Sequence, residues 1–121
     1  VVDAQPIRAE RPDERCVAVA ISEPVVELNS PAADGHPTIR ADGREIYIHS
    51  NRGGVNFDIY VATRRSVHDP WSPPSRVDAV SISGAHEIHP SLSHDGRTLV
   101  FTRGLGTAND IWISVRTPSG R

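Results

Sequence analysis

The residues able to do chemistry in this chain are six histidines, a set of paired acids and a few arginines. The histidines are His36, His49, His68, His86, His89 and His94. His86 and His89, with Glu87 between them, have the composition of a metal site. The His-x-x-His spacing, however, sits in a segment with no helical period, and no further carboxylate is placed as in a zinc protease motif. Arg40 and Arg103, with Arg52 nearby, present the planar donor fork that holds a carboxylate or an anionic sugar. Asp58 and Asp110 each precede an apolar run, where a carboxylate serves either a metal or the N–H groups of a preceding turn. Asp42, Asp95, Asp34 and Asp69 become hard-cation ligands only if their oxygens converge, and no EF-hand spacing is present. Arg52-Gly53-Gly54 and Gly104-Leu105-Gly106 open no helix, so neither is a phosphate loop. Ser83-Gly84 makes no nucleophile elbow. Cys16 is the single cysteine, which excludes an intrachain disulfide and a cysteine-rich zinc site.

These residues are carried by an internal repeat. His36-Pro37-Thr38-Ile39-Arg40-Ala41-Asp42-Gly43-Arg44-Glu45-Ile46-Tyr47-Ile48 matches His89-Pro90-Ser91-Leu92-Ser93-His94-Asp95-Gly96-Arg97-Thr98-Leu99-Val100-Phe101 at an offset of 53 residues. Asn56-Phe57-Asp58-Ile59-Tyr60-Val61-Ala62 then matches Ala108-Asn109-Asp110-Ile111-Trp112-Ile113-Ser114 at an offset of 52. Upstream, Val26 to Ser30 matches Asp78 to Ile82 at the same offset of 52. The residue lost between blocks falls in a loop, where it is tolerated; inside a strand it would turn every side chain to the other face. A repeat of this length is one supersecondary unit that buries its faces against neighbours.

The repeat reads as strands. Glu45 to Ser50, Phe57 to Thr63, Thr98 to Thr102 and Asp110 to Val115 are short β-branched and aromatic runs bounded by Gly, Asn, Asp or Pro. Shorter inner strands are expected at Pro37 to Arg40 and Pro90 to Ser93, and a proline-flanked outer strand near Ser75 to Val80. Asp42-Gly43 and Asp95-Gly96 are hairpin signals, because glycine accepts positive φ and aspartate bonds its own backbone. Repetition marks these four, together with Asp58 and Asp110, as structural. Ile46 and Ile48 oppose Tyr47, and Ile59 and Val61 oppose Tyr60 and Ala62, so the central strands are apolar on both faces. Such strands need sheets stacked on both sides rather than one wet face. Trp71, Trp112, Tyr60 and Phe101 are accordingly expected to pack between sheets.

The ordered blocks resemble the WD40-like propeller repeat of the TolB type. The resemblance covers roughly residues 25 to 116 and rests on Pro37 to Ile48, Asp58-Ile59-Tyr60 and Trp71-Ser72-Pro73-Pro74, then Pro90 to Phe101 and Asp110-Ile111-Trp112. It implies an all-β chain of propeller blades: about two four-stranded antiparallel meanders in a partial or oligomer-completed ring. Residues 25–121 would be two tandem blade repeats and residues 1–24 an N-terminal arm or partial blade strand, with a strand candidate at Cys16 to Ile21. The Trp-x-x-Pro block is missing before Val25. The resemblance also implies a bacterial periplasmic or extracellular protein. Missing blades would come from a longer chain or from symmetry copies. His36 and His89 would lie near one mouth of the central channel, with Arg40 and Arg103 as further ligand-binding candidates. The expected role is a scaffold for a protein, peptide or glycan. The alternative is the propeller portion of a polysaccharide lyase or hydrolase, or of a peptidase. No catalytic residue stands out, which favours binding over catalysis on this segment. No cofactor is implied beyond a calcium or other divalent cation.

Composition fits these expectations. The 121 residues are 37% apolar and 23% charged, within the range of one globular domain. A formal net charge of -2 gives no general pull toward nucleic acid or anionic membrane. No apolar run is long enough to span a bilayer as a helix.

Overall fold

The computed structural model describes residues 22–117; the strand candidate at Cys16 to Ile21 lies outside them. Two antiparallel sheets form an all-β domain. The first holds β1 (Asp34–Ile39), β2 (Glu45–Ser50), β3 (Asp58–Thr63) and β4 (Ser75–Arg76), in that spatial order. The second holds β5 (His86–Leu92), β6 (Thr98–Gly104) and β7 (Asn109–Val115). The expectation of two four-stranded meanders is met in the first sheet. The second has three strands among the described residues, and these residues form no closed ring.

Each hairpin turn follows from its Asp-Gly pair. Gly43 and Gly96 take φ of 75° and 76°. Asp42 and Asp95 each accept the N–H two residues on, from Arg44 and Arg97, at 3.0 Å. The apolar alternation then sorts side chains to opposite faces of the first sheet. Ile46, Ile48, Tyr60 and Ala62 join Leu28 and Trp71 on one face. Tyr47, Ile59 and Val61 on the other meet Leu92, Leu99 and Phe101 of the second sheet, with Val77 and Val80 from the connection filling the same layer. Ile59 is fully buried there. This shared layer is what fixes one sheet against the other. Of the four aromatics expected between sheets only Phe101 lies in this layer: Tyr60 and Trp71 are on the other face of the first sheet, and Trp112 is outside it too. It lies 45% exposed on β7, with the Arg103 guanidinium 4.4 Å from its ring.

Three strands, β1, β5 and the outer strand, differ in their bounds from the sequence expectation, each for a backbone reason. β1 and β5 begin earlier than Pro37 and Pro90, because each pairs across a bulge. Between Gly35 opposite His49 and Thr38 opposite Tyr47, two residues face one; the same holds between Ile88 opposite Thr102 and Ser91 opposite Val100. The extra residues are His36-Pro37 and His89-Pro90. A bulge suits proline, which has no N–H to give the ladder. The outer strand ends at Arg76 instead of running to Val80. Val77 still donates its N–H to Ile59 at 2.8 Å. A 3-10 turn over Asp78–Val80 then swings Val80 into the gap between the sheets, where it is buried.

Candidate functional site

The bulges set the site. His36 and His89 have φ of 49° and 56°, the only non-glycine residues among those described in the left-handed region. Such a conformation costs about 1–3 kcal/mol per residue and persists only where neighbours hold it. At His89 the holding group is visible: its N–H donates to Nδ1 of His49 on β2 at 3.0 Å. Because β1 and β5 run side by side in the stack, the two bulged imidazoles meet with ring centroids 3.9 Å apart. His49 lies 4.9 Å from His36, and Phe57 lies 4.9 Å from His49. His86 follows at 5.8 Å from Phe57, its Nδ1 accepting the Phe57 N–H at 3.0 Å. The result is a ledge, a continuous row of five rings across the β1, β2, β3 and β5 strand ends, with His36 and His89 exposed.

Electrostatics keep the centre of this row neutral. Burial, reinforced by repulsion from His36 and His89, lowers the His49 imidazole from 6.5 to about 4, against a weaker pull from Asp34. Burial and the facing His89 also lower His36. A neutral His49 keeps Nδ1 free to accept. Among the described residues no group of three or more His, Cys, Asp or Glu side chains is arranged to hold a metal ion.

Both sheets brace this edge with a carboxylate and an arginine. Asp34 takes Arg52 at 2.8 Å, and Arg52 also donates to the Leu28 carbonyl at 2.6 Å. Glu87, the repeat counterpart of Asp34, takes Arg103 at 3.1 Å, and Arg103 donates to the Val80 carbonyl at 2.5 Å. Leu28 and Val80 are counterparts too, so two arginines from different repeat positions fill one role. Burial works to raise the Asp34 carboxyl, but the Ser50 hydroxyl, the Ser30 N–H and Arg52 outweigh it, and the net shift is downward. Glu87 goes the other way. Complete burial raises its pKa against Arg103, and a hydrogen bond shared with the Asp58 carboxyl raises it further. Its Oε1 finds no donor. Protonation of Glu87 would give that oxygen a hydrogen to donate toward Asp58.

The sequence-derived site residues therefore separate. His36 and His89 come together at the ledge. Arg40 lies at the far end of β1, bonded to Asp42 at 2.9 Å and near Glu45 at 3.5 Å. Arg103 is held by Glu87 and the Val80 carbonyl. Asp58 faces Glu87, while Asp110 is exposed at the start of β7. In that second loop it is Asn109 whose side chain accepts a turn N–H, from Gly106 at 3.3 Å. His49 and Phe57 carry no repeat signal, since Thr102 and Asn109 stand at the matching positions. The period of two along β2 places His49 on the Tyr47 face, and that is the signal that finds it. A second concavity of about 320 Å³ lies between the 53–56 and 81–85 loops, lined by Asp58, Arg76 and Asp78. No family model and no curated protein matches the chain.

Proposed function

We propose that this chain is a β-propeller portion acting as a binding scaffold for a protein, peptide or glycan. One observation carries the reading: the exposed imidazoles of His36 and His89 meet with centroids 3.9 Å apart and planes tilted by 45°, on two adjoining strands. Repeat-equivalent bulges hold both in a conformation that ordinary packing does not require. A rigid edge presenting a row of rings suits recognition, because flat π faces gain contact area with little loss of side-chain freedom. The acids nearest the ledge are engaged internally: Asp34 with Arg52, and the fully buried Glu87 with Arg103. That disfavours the lyase, hydrolase or peptidase reading for these residues.

The test is a glycan array and a peptide-display selection with the purified chain, repeated with His36→Asn and His89→Asn. Asparagine tolerates positive φ, so the bulges survive. Loss of about tenfold or more in affinity, roughly 1.4 kcal/mol, supports the reading. Binding indifferent to both changes sinks this ledge as the surface. Turnover of a polysaccharide or peptide would favour the enzyme alternative.

A further inference from the structure

Among the described residues, both halves of the internal junction recur a second time, and none of these residues packs one recurrence onto the other. At the junction, Val77, Val80, Leu92, Leu99 and Phe101 form a concave layer, filled by Tyr47, Ile59 and Val61 of the first sheet. Their repeat counterparts are Val25, Leu28, Ile39, Ile46 and Ile48. Those five residues line an apolar groove of about 390 Å³ on the far face of the first sheet. The counterparts of the filling residues are Val100, Ile111 and Ile113. At the opposite end of the stack, Ile111 is 72% and Ile113 64% exposed. Ile59, which matches Ile111, is fully buried.

We infer that the β7 face of one copy of this chain docks head to tail into the Val25–Ile48 groove of a second copy, repeating the internal junction between molecules. The polar bonds of the junction have partners for the same repetition. Inside the chain, the Leu92 N–H donates to Thr38 Oγ1 at 3.0 Å, and the Glu87 N–H to the Phe57 carbonyl at 2.9 Å. Between copies, the Ile39 N–H meets the exposed Ser91 hydroxyl, and the Asp34 N–H meets the Asn109 carbonyl. Thr102 takes the place of His49 as acceptor, opposite the His36 N–H. Three polar contacts are not repeated: Thr98 stands where Glu45 binds Arg116, Val100 where Tyr47 meets that arginine, and Ala33 where His86 accepts the Phe57 N–H, so the intermolecular contact lacks the ionic clasp. The association is therefore weaker than the internal junction and depends on concentration. Such a contact is heterologous: it leaves a groove and a face at the two ends of every assembly until a ring closes. The inference does not depend on what the histidine ledge binds.

The experiment is sedimentation and native mass measurement of the 121-residue chain across a wide concentration range. Multimers that grow with concentration are expected; a monomer throughout overturns the inference. Ile113→Asp removes the docking face and Val25→Asp blocks the groove, both at exposed positions that folding tolerates. Each variant alone is expected to be monomeric, and their mixture to give a one-to-one dimer, since one intact groove and one intact face remain. Either variant still forming multimers alone, or a mixture that stays monomeric, overturns the head-to-tail geometry. A milder change, Ile111→Thr, leaves folding untouched and is expected to shift assembly to higher concentration; no shift counts against the docking face.

Discussion

Arg116, just after β7, clasps Glu45, the first residue of β2, and so ties the second sheet to the first. Its guanidinium reaches both carboxylate oxygens of a buried glutamate, at 3.1 Å to Oε2, while Nε donates to the Gly96 carbonyl at 2.8 Å. The matching Arg64 makes the same bond to the Gly43 carbonyl at 2.7 Å, so the repeat builds the arm and Glu45 gives it a target in the next sheet. Removing the arm leaves a buried carboxylate with Arg40, at 3.5 Å, and the Tyr47 hydroxyl. Arg116 is about half exposed, which moderates the loss. Arg116→Leu is expected to cost about 1–3 kcal/mol in urea unfolding, and Glu45→Gln in that background to restore part of it. No recovery would mean that the pair is not what holds the sheets.

Glu87 makes stability fall as pH rises above its ordinary 4.5. Burial first, then its hydrogen bond with Asp58, raises its carboxyl above the ordinary 4.5, against Arg103. The folded state thus binds this proton more tightly than the unfolded chain does. The stabilisation is present below 4.5 and is lost as pH rises through the folded value. Glu87→Gln keeps the shape and a donor toward Asp58 without the titration. The variant is expected to equal the parent in acid and exceed it at neutral pH. Parallel unfolding curves for the two proteins at every pH would rule out a protonated Glu87.

How much of this was legible follows from what repetition can encode. The Asp-Gly turns, the β2, β3 and β6 runs and the two-faced burial of β2 and β3 are readable, because turn chemistry and a period of two are local. The pairing of His36 with His89 was readable as a repeat coincidence, but their left-handed backbone was not, since the expectation there is glycine. The Asp34–Arg52 and Glu87–Arg103 braces were hidden. Alignment matches like positions, whereas a long arginine side chain reaches the same carbonyl from either of two different ones. The outer strand was overextended because Val77 and Val80 read as strand residues; their burial comes instead from a turn that feeds them between the sheets.

His49 sets the acid limit. Burial, then His36 and His89, bring its pKa from 6.5 to about 4. Here the unfolded chain binds the proton more readily. The contribution is complete above 6.5 and is lost as pH falls from there toward 4. Protonating Nδ1 also breaks the bond from the His89 N–H. The loss is on the order of 2–3 kcal/mol over that window. His49→Asn, which keeps an acceptor and does not titrate, is expected to make the acid-side loss shallower between those limits, with His36 and Glu87 still titrating there in both proteins. The lowered carboxyls of Asp34, Asp42 and Asp95 act below their ordinary 3.8 and remain in both proteins. A profile equally steep in the variant would place the acid sensitivity elsewhere.

Two glycines of the same chemistry are expected to respond in opposite directions. Gly96 has a φ of 76°, and a Cβ there would stand 2.6 Å from Arg40 Cδ in the neighbouring sheet. Gly96→Ala therefore strains the backbone and pushes on the side chain that bonds Asp42, at an expected cost of about 1–3 kcal/mol. The Arg40 side chain can retreat, so the backbone term dominates. Gly54 has no such φ, and its Cβ would meet nothing within 4 Å. Gly54→Ala restricts the unfolded chain without straining the folded one, and is expected to stabilise by about 0.4–1 kcal/mol. Thermal and urea unfolding of the two variants decide the matter. Equal effects would mean that neither the positive φ nor the contact across the sheets governs the Asp95-Gly96 turn.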